Sequence, residues 1–241
     1  MDTARLADAL QHHTAALAKA AAGADPDARV PTCPDWPLRV LVGHVGQAHR
    51  WSASIVRSGP SPVPDPFDAD PGDPAGWSGW LQAGAADLVD AVSTTDSPVW
   101  TFFGPGPATF WLRRMLNDTI VHHADAAGRA FSVAPELAED AITDWLELLA
   151  HPATQTLKPD VAELRGTGQT LRLLPDHAEG WHLTRTPDGI EWTRGTADAE
   201  VTLAGPLTDL LLVFTRRRLA DDVTITGDRR LIDHWLAHSA A

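Results

Sequence analysis

The sequence contains no tyrosine and one cysteine, Cys33. A lone thiol excludes an internal disulfide and any zinc site built from several cysteines. The missing phenols remove a common proton donor from any mechanism. Positive charge is scarce as well: 19 Lys and Arg stand against 32 Asp and Glu, a formal charge of −13. That balance argues against nucleic acid or an anionic membrane as the main partner, since both reward net positive charge. No apolar run approaches the length of a membrane span, and the N-terminus lacks the basic-then-apolar profile of a signal peptide. A cytoplasmic location is therefore the expectation. Internal repeats are missing too, and the only biased segment is a Pro/Asp-rich loop.

What is present is a chain of 241 residues, 44% hydrophobic and 21% charged, which suits one large or two ordinary globular domains. Eleven histidines and ten tryptophans exceed ordinary usage, and the histidines hint at metal or acid–base chemistry.

Apolar residues recur at helical spacing over 3–22, 37–58, 77–92, 109–130 and 135–150. In the third of these Gly84 falls on the apolar face, where it marks a close helix–helix approach. Residues 23–34, 59–76 and 93–108 read as connections, the last with a short extended piece at 99–103. Its Gly-Pro-Gly-Pro run is not a phosphate loop, because no Gly-Lys-Ser/Thr ending follows and proline offers no N–H. After about residue 153 the pattern changes to short alternating segments at 170–174, 181–186, 190–193 and 200–204. A helix (206–218), a strand (223–226) and a last helix (229–237) follow. The expectation is a helical bundle over 1–152 and a smaller α+β domain with an antiparallel sheet over 153–241.

Asp118 and His122 lie four residues apart on one helix, on the inward face that Trp111 and Met115 continue. An inward ionisable pair costs free energy unless something compensates it. His44, on the second helix, also falls among apolar positions, and the three make a two-His-one-carboxylate set of the kind that leaves metal positions open. Spacing alone still favours a hydrogen-bonded pair over ligands for Asp118 and His122, and a satisfied core histidine for His44. His12, His13, His49 and His123 read as surface or supporting residues, with His123 nearest the pocket by adjacency. Asp125 reads as a residue that orients the helix or its neighbours. Cys33 reads as a small packing residue, and Trp36, Trp51, Trp111 and Trp145 as core or loop anchors. Arg216, Arg217 and Arg218 are placed to close a helix, where cations complement its dipole.

Two stretches carry more information together than apart. Val30-Pro31-Thr32-Cys33-Pro34-Asp35-Trp36 running on to His44, and Asn117-Asp118-Thr119-Ile120-Val121-His122-His123-Ala124-Asp125, resemble the paired motifs of the mycothiol-dependent maleylpyruvate isomerase family, within the DinB-like metalloenzyme superfamily. The stretch from Gly205 through Arg216 to Asp228 and Trp235 is similar to that family's small C-terminal domain.

The resemblance implies a DinB-like four-helix-type bundle in which His44, Asp118 and His122 bind a divalent metal, usually zinc. It also implies a catalytic Arg216 that clamps a substrate carboxylate or the enolate that develops. Mycothiol is the implied thiol cosubstrate and an electrophilic small molecule its target, with cis–trans isomerisation or S-transfer as the outcome, in a monomer or homodimer. Two positions depart from the family pattern. Asp118 stands where a Glu is usual, one methylene shorter, and His123 where an Arg is usual. These departures support the alternative of a non-catalytic small-ligand-binding or regulatory protein on the same scaffold.

Overall fold

The computed structural model of the chain describes residues 1–239. Its first helix, α1 (Thr3–Ala21), starts where the Asp2 carboxylate accepts a hydrogen bond from the Arg5 N–H at 2.9 Å, and it buries Leu6, Leu10 and Leu17. The connection after it is more ordered than the sequence suggests. Arg29–Val30 (β1) and Cys33–Pro37 (β2) pair as a short antiparallel hairpin with an irregular register. Prolines are tolerated there because the ribbon has only edges.

Pro37 then leads into α2 (Leu38–Ser58), whose first N–H groups are taken by loop carbonyls: Leu38 donates to Ala28 at 2.9 Å and Arg39 to Pro26 at 3.0 Å. Loop 59–76 contains two 3₁₀ turns, Pro66–Asp68 and Pro74–Gly76. The next helix is α3 (Trp77–Ser93). Val99–Thr101 (β3) and Gly104–Gly106 (β4) form a second small hairpin, and α4 (Thr109–Ala127) follows.

These four helices pack on one another: α1 lies on α3 and α4, and α2 on the same two. Glycines set the α2–α3 contact. A Cβ on Gly84 would lie 3.1 Å from the Gly46 carbonyl oxygen, and one on Gly46 would lie 1.9 Å from the Trp80 ring. The close approach expected at Gly84 is therefore present, with its counterpart at Gly46. A core of Leu17, Val30, Leu41, Val45, Trp77 and Leu81 joins the first hairpin to the helices, and Cys33 and Trp36 pack against it. No helix among the described residues is long and apolar enough to cross a membrane.

The chain divides into compact units at Phe131/Ser132, earlier than residue 152. The helix α5 (Pro135–Ala150) belongs to the second unit, where it packs on elements that follow it. A short helix α6 (Pro152–Leu157) and a 3₁₀ segment (Pro159–Leu164), both unanticipated, lead to the sheet. Its strands are β5 (Thr170–Pro175), β6 (Trp181–Thr186), β7 (Gly189–Arg194), β8 (Val201–Gly205) and β9 (Thr224–Gly227), in the order β7-β6-β5-β8-β9.

An antiparallel sheet was expected; the sheet is mixed, because β5 and β8 run parallel. After the β5-β6-β7 meander the chain crosses over and adds β8 to the free side of β5. Alternating burial is the same for either strand direction, which is why the pattern in sequence does not reveal it. The helix α7 (Leu207–Phe214) is shorter than the expected 206–218, and α8 (Arg229–His238) ends the described chain. Within this unit the Trp181 indole donates to Thr143 on α5 at 3.1 Å, and Phe214 stacks on Trp235.

Candidate metal centre

The site is built where α2 and α4 face each other under the first hairpin. His44 on α2 presents Nε2 at 3.7 Å from the Asp118 Oδ2 atom on α4, and His122 presents Nε2 at 3.9 Å from the same oxygen. One donor atom from each of the three residues lies within 4.8 Å of the others. The two imidazole centroids are 4.9 Å apart at a nearly perpendicular angle.

These separations exceed a hydrogen bond. Two ligands of a tetrahedral zinc, with bonds of about 2.0–2.1 Å, are about 3.3–3.4 Å apart. The two separations from Asp118, 3.7 and 3.9 Å, exceed that by a few tenths of an ångström.

The tautomer of His122 sharpens this. Its Nδ1 lies 2.8 Å from the buried Asp125 Oδ2 and donates its proton there. The other ring nitrogen, Nε2, is thereby turned toward the Asp118 carboxylate at 3.9 Å. A metal ion or a proton on Nε2 can meet the carboxylate there. Burial would raise the Asp118 carboxyl, but His122, His44 and Arg114 together hold it well below the usual carboxylate range. The shorter carboxylate is carried close enough by the helix to face both histidines.

Asp125, two residues before the end of α4, is the hub of the support. It also accepts from the Thr32 hydroxyl at 2.5 Å and from the Cys33 thiol at 3.7 Å, so the hairpin turn is tied to the carboxylate that orients His122. Cys33, His122 and Asp125 form a second possible donor group, but its members are already joined by these hydrogen bonds. From the same hairpin, Trp36 lies against both imidazoles, with centroids 4.9 Å from His44 and 5.8 Å from His122. Thr32 and Trp36 stand in the motif that runs on to His44, but their contacts with α4 join positions far apart in sequence (|i−j| = 93 for Thr32 and Asp125).

A second pin holds α2 to α4. The Thr119 hydroxyl donates to the Met115 carbonyl at 2.6 Å and accepts from His49 Nε2 at 2.8 Å. Burial lowers the His49 pKa to about 4, with Arg50 and His44 adding to the effect against Asp118, so this histidine is a neutral strut.

Residues 7–127 match the family described as the mycothiol maleylpyruvate isomerase N-terminal domain. The chain belongs to this family. Two solved structures, of a mycothiol-dependent maleylpyruvate isomerase and of a histidine-to-alanine mutant of it, share the fold. They align over 95% of this chain and 95% of theirs with TM-scores of 0.60 and 0.61, at 18% and 16% identity respectively. No curated protein matches.

The expectation that His123 is the histidine nearest the pocket does not hold. It is buried against α1, with Nδ1 at 3.1 Å from Nδ1 of His13 and its ring against Phe131. Burial, then His123 and His12, lowers His13 to about 4, so one of the pair donates and the other accepts as neutral tautomers. The cation that does face the triad is Arg114, with Nη2 at 3.6 Å from Asp118 Oδ1.

Arg216 lies in the second unit. It follows α7 in the turn rather than in a helical last turn, is exposed, and donates its N–H to Val213 at 2.9 Å. Its φ of 65° makes it the one non-glycine with positive φ among the described residues. Such a conformation costs on the order of 1–3 kcal/mol.

Proposed function

We propose that this protein is a metal-dependent, mycothiol-using enzyme that isomerises an electrophilic small molecule about a cis double bond, with S-transfer as the variant outcome when the adduct is retained. The observation that carries the reading is the convergence of one donor atom each from His44, Asp118 and His122, within 4.8 Å of one another, inside a chain of this family. The metal is read as zinc, held by these three residues with a position left for the thiol, and the four packed helices as a DinB-like bundle. A bound dication would lower the pKa of a thiol at neutral pH and so supply the thiolate nucleophile.

The chain's own residues do the rest. Asp125 fixes His122 in the Nδ1-protonated tautomer, and the Trp36 ring shields both imidazoles from water. Arg216 is proposed as the catalytic residue that meets negative charge on the substrate. The left-handed backbone it maintains at a cost supports that role, since strain of this kind collects at functional positions. Asp118 in place of Glu does not favour a purely binding protein, because its carboxylate still faces both histidines.

The test incubates the protein with mycothiol and a panel of cis-configured unsaturated carbonyl compounds and follows products by mass spectrometry. Isomerised product or thiol adduct that depends on mycothiol, and falls roughly a hundredfold in Arg216→Ala, is expected. Silence across the panel from metal-loaded protein would overturn the enzyme reading.

A further inference from the structure

Seven residues separate His44 from Trp51 on α2, and seven separate Trp111 from Asp118 on α4. His44 lies by Asp118, and the Trp51 ring lies edge-on to Trp111 with centroids 5.1 Å apart. The two helices are therefore antiparallel with matched layers, two turns apart. The layer between belongs to Gln47 on α2 and Arg114 on α4.

That layer is polar in an apolar surround. The Arg114 guanidinium is largely shielded from solvent and shares its charge with Asp118, at 3.6 Å. One turn further, the Trp51 indole N–H is buried and makes no hydrogen bond among the described residues, and the same is true of the Gln47 amide oxygen. An amide can rotate its oxygen and nitrogen, so Gln47 offers either an acceptor or a donor. Trp111 does not share this state, because its indole donates to the Trp100 carbonyl at 2.7 Å. Trp111 and Phe102 close the far side, with ring centroids 5.0 Å apart. Buried polar groups left without partners are expensive, and helical spacing sets these two in the layers at and next to that of Arg114, so together they can receive oxygen-bearing charge.

We propose that Arg114, Gln47 and Trp51 recognise a carboxylate of the electrophile. The inference rests on the reading of His44, Asp118 and His122 as the reaction centre. One helical turn is about 5.4 Å, so a carboxylate seated in this layer keeps a conjugated double bond beside the triad. Arg114 supplies the charge, and the indole and amide supply neutral donors in a dry setting where each counts for more than in water. With His123 turned away toward α1, Arg114 is the cation this chain places on the triad's face.

The test titrates metal-loaded protein with succinate, a dicarboxylate with no double bond to react, by calorimetry, with succinamide as the uncharged control. Succinate binding is expected to be roughly tenfold tighter than succinamide binding. Arg114→Met should weaken it about tenfold when compared at equal metal loading, and Trp51→Phe, which keeps a ring and loses the N–H, several-fold. Should the methionine variant fail to fold, Arg114→Lys carries the same prediction, because an ammonium lacks the planar fork. Equal succinate affinity in folded Arg114 and Trp51 variants, or no succinate binding by the wild type, overturns the inference. Metal content measured on the same samples separates the two levels. Metal-replete protein that ignores succinate sinks this proposal alone, whereas metal-free wild type sinks the reading of the triad. In the latter case the succinate titration of metal-free protein still decides the role of Arg114.

Discussion

At the scale of single residues, the chemistry of the site is decided by which proton sits where. Asp118 is held ionised by two imidazoles and a guanidinium, and His122 is held in one tautomer by Asp125. The second of these is testable without any substrate. Asp125→Asn keeps the shape of the side chain but replaces a charged acceptor with a neutral amide. It is expected to weaken metal binding about 10–100-fold, read by competition with a chelator, in a protein of unchanged helical content. Unchanged affinity would show that the carboxylate does not orient the ligand. His13 with His123, and His49 with Thr119, show the other fate of inward histidines in this fold: neutral, hydrogen-bonded, and used to fix one helix against another.

At the scale of elements, the helices were legible because apolar residues at helical spacing and the prolines at 37 and 135 mark both their faces and their starts. Leu38–Ser58 and Pro135–Ala150 match that reading closely. The hairpins were legible only in the extended piece expected at 99–103, which holds Val99–Thr101; Arg29–Val30 with Cys33–Pro37, and the partner strand Gly104–Gly106, are too short and too rich in proline and glycine to alternate. The first hairpin carries Thr32 and Trp36 to the site, so the support of the triad stayed hidden although the triad itself did not. Parallel pairing of β5 with β8 escaped because alternation along a strand says nothing of its neighbour's direction. The α2–α3 contact gives the prediction at this scale. Gly46→Ala puts a methyl group into the Trp80 ring, and a loss of roughly 1–3 kcal/mol is expected in chemical denaturation. Gly79→Ala, where a Cβ meets nothing within 4 Å, is the control and should not destabilise. Equal stability of the two variants would mean that the helices do not need this approach.

At the scale of the whole molecule, the division falls at Phe131/Ser132, with the fifth helix in the second unit. Hydrophobic spacing shows that Pro135–Ala150 is a helix but not which face it packs on, so the sequence could not assign it. The first unit brings together the metal-ligand candidates, and Arg216 is carried by the second. The net charge of −13 is compatible with a dication as the group that completes the site, and it leaves anionic substrates dependent on local cations such as Arg114 and Arg216. The central claim is that His44, Asp118 and His122 hold one metal ion, and the most direct measurement is metal stoichiometry by elemental analysis after dialysis. About one equivalent of divalent metal per wild-type chain, and almost none in folded His122→Ala, is the predicted result. A wild-type chain without metal, or a His122→Ala variant that keeps its full equivalent, would contradict it.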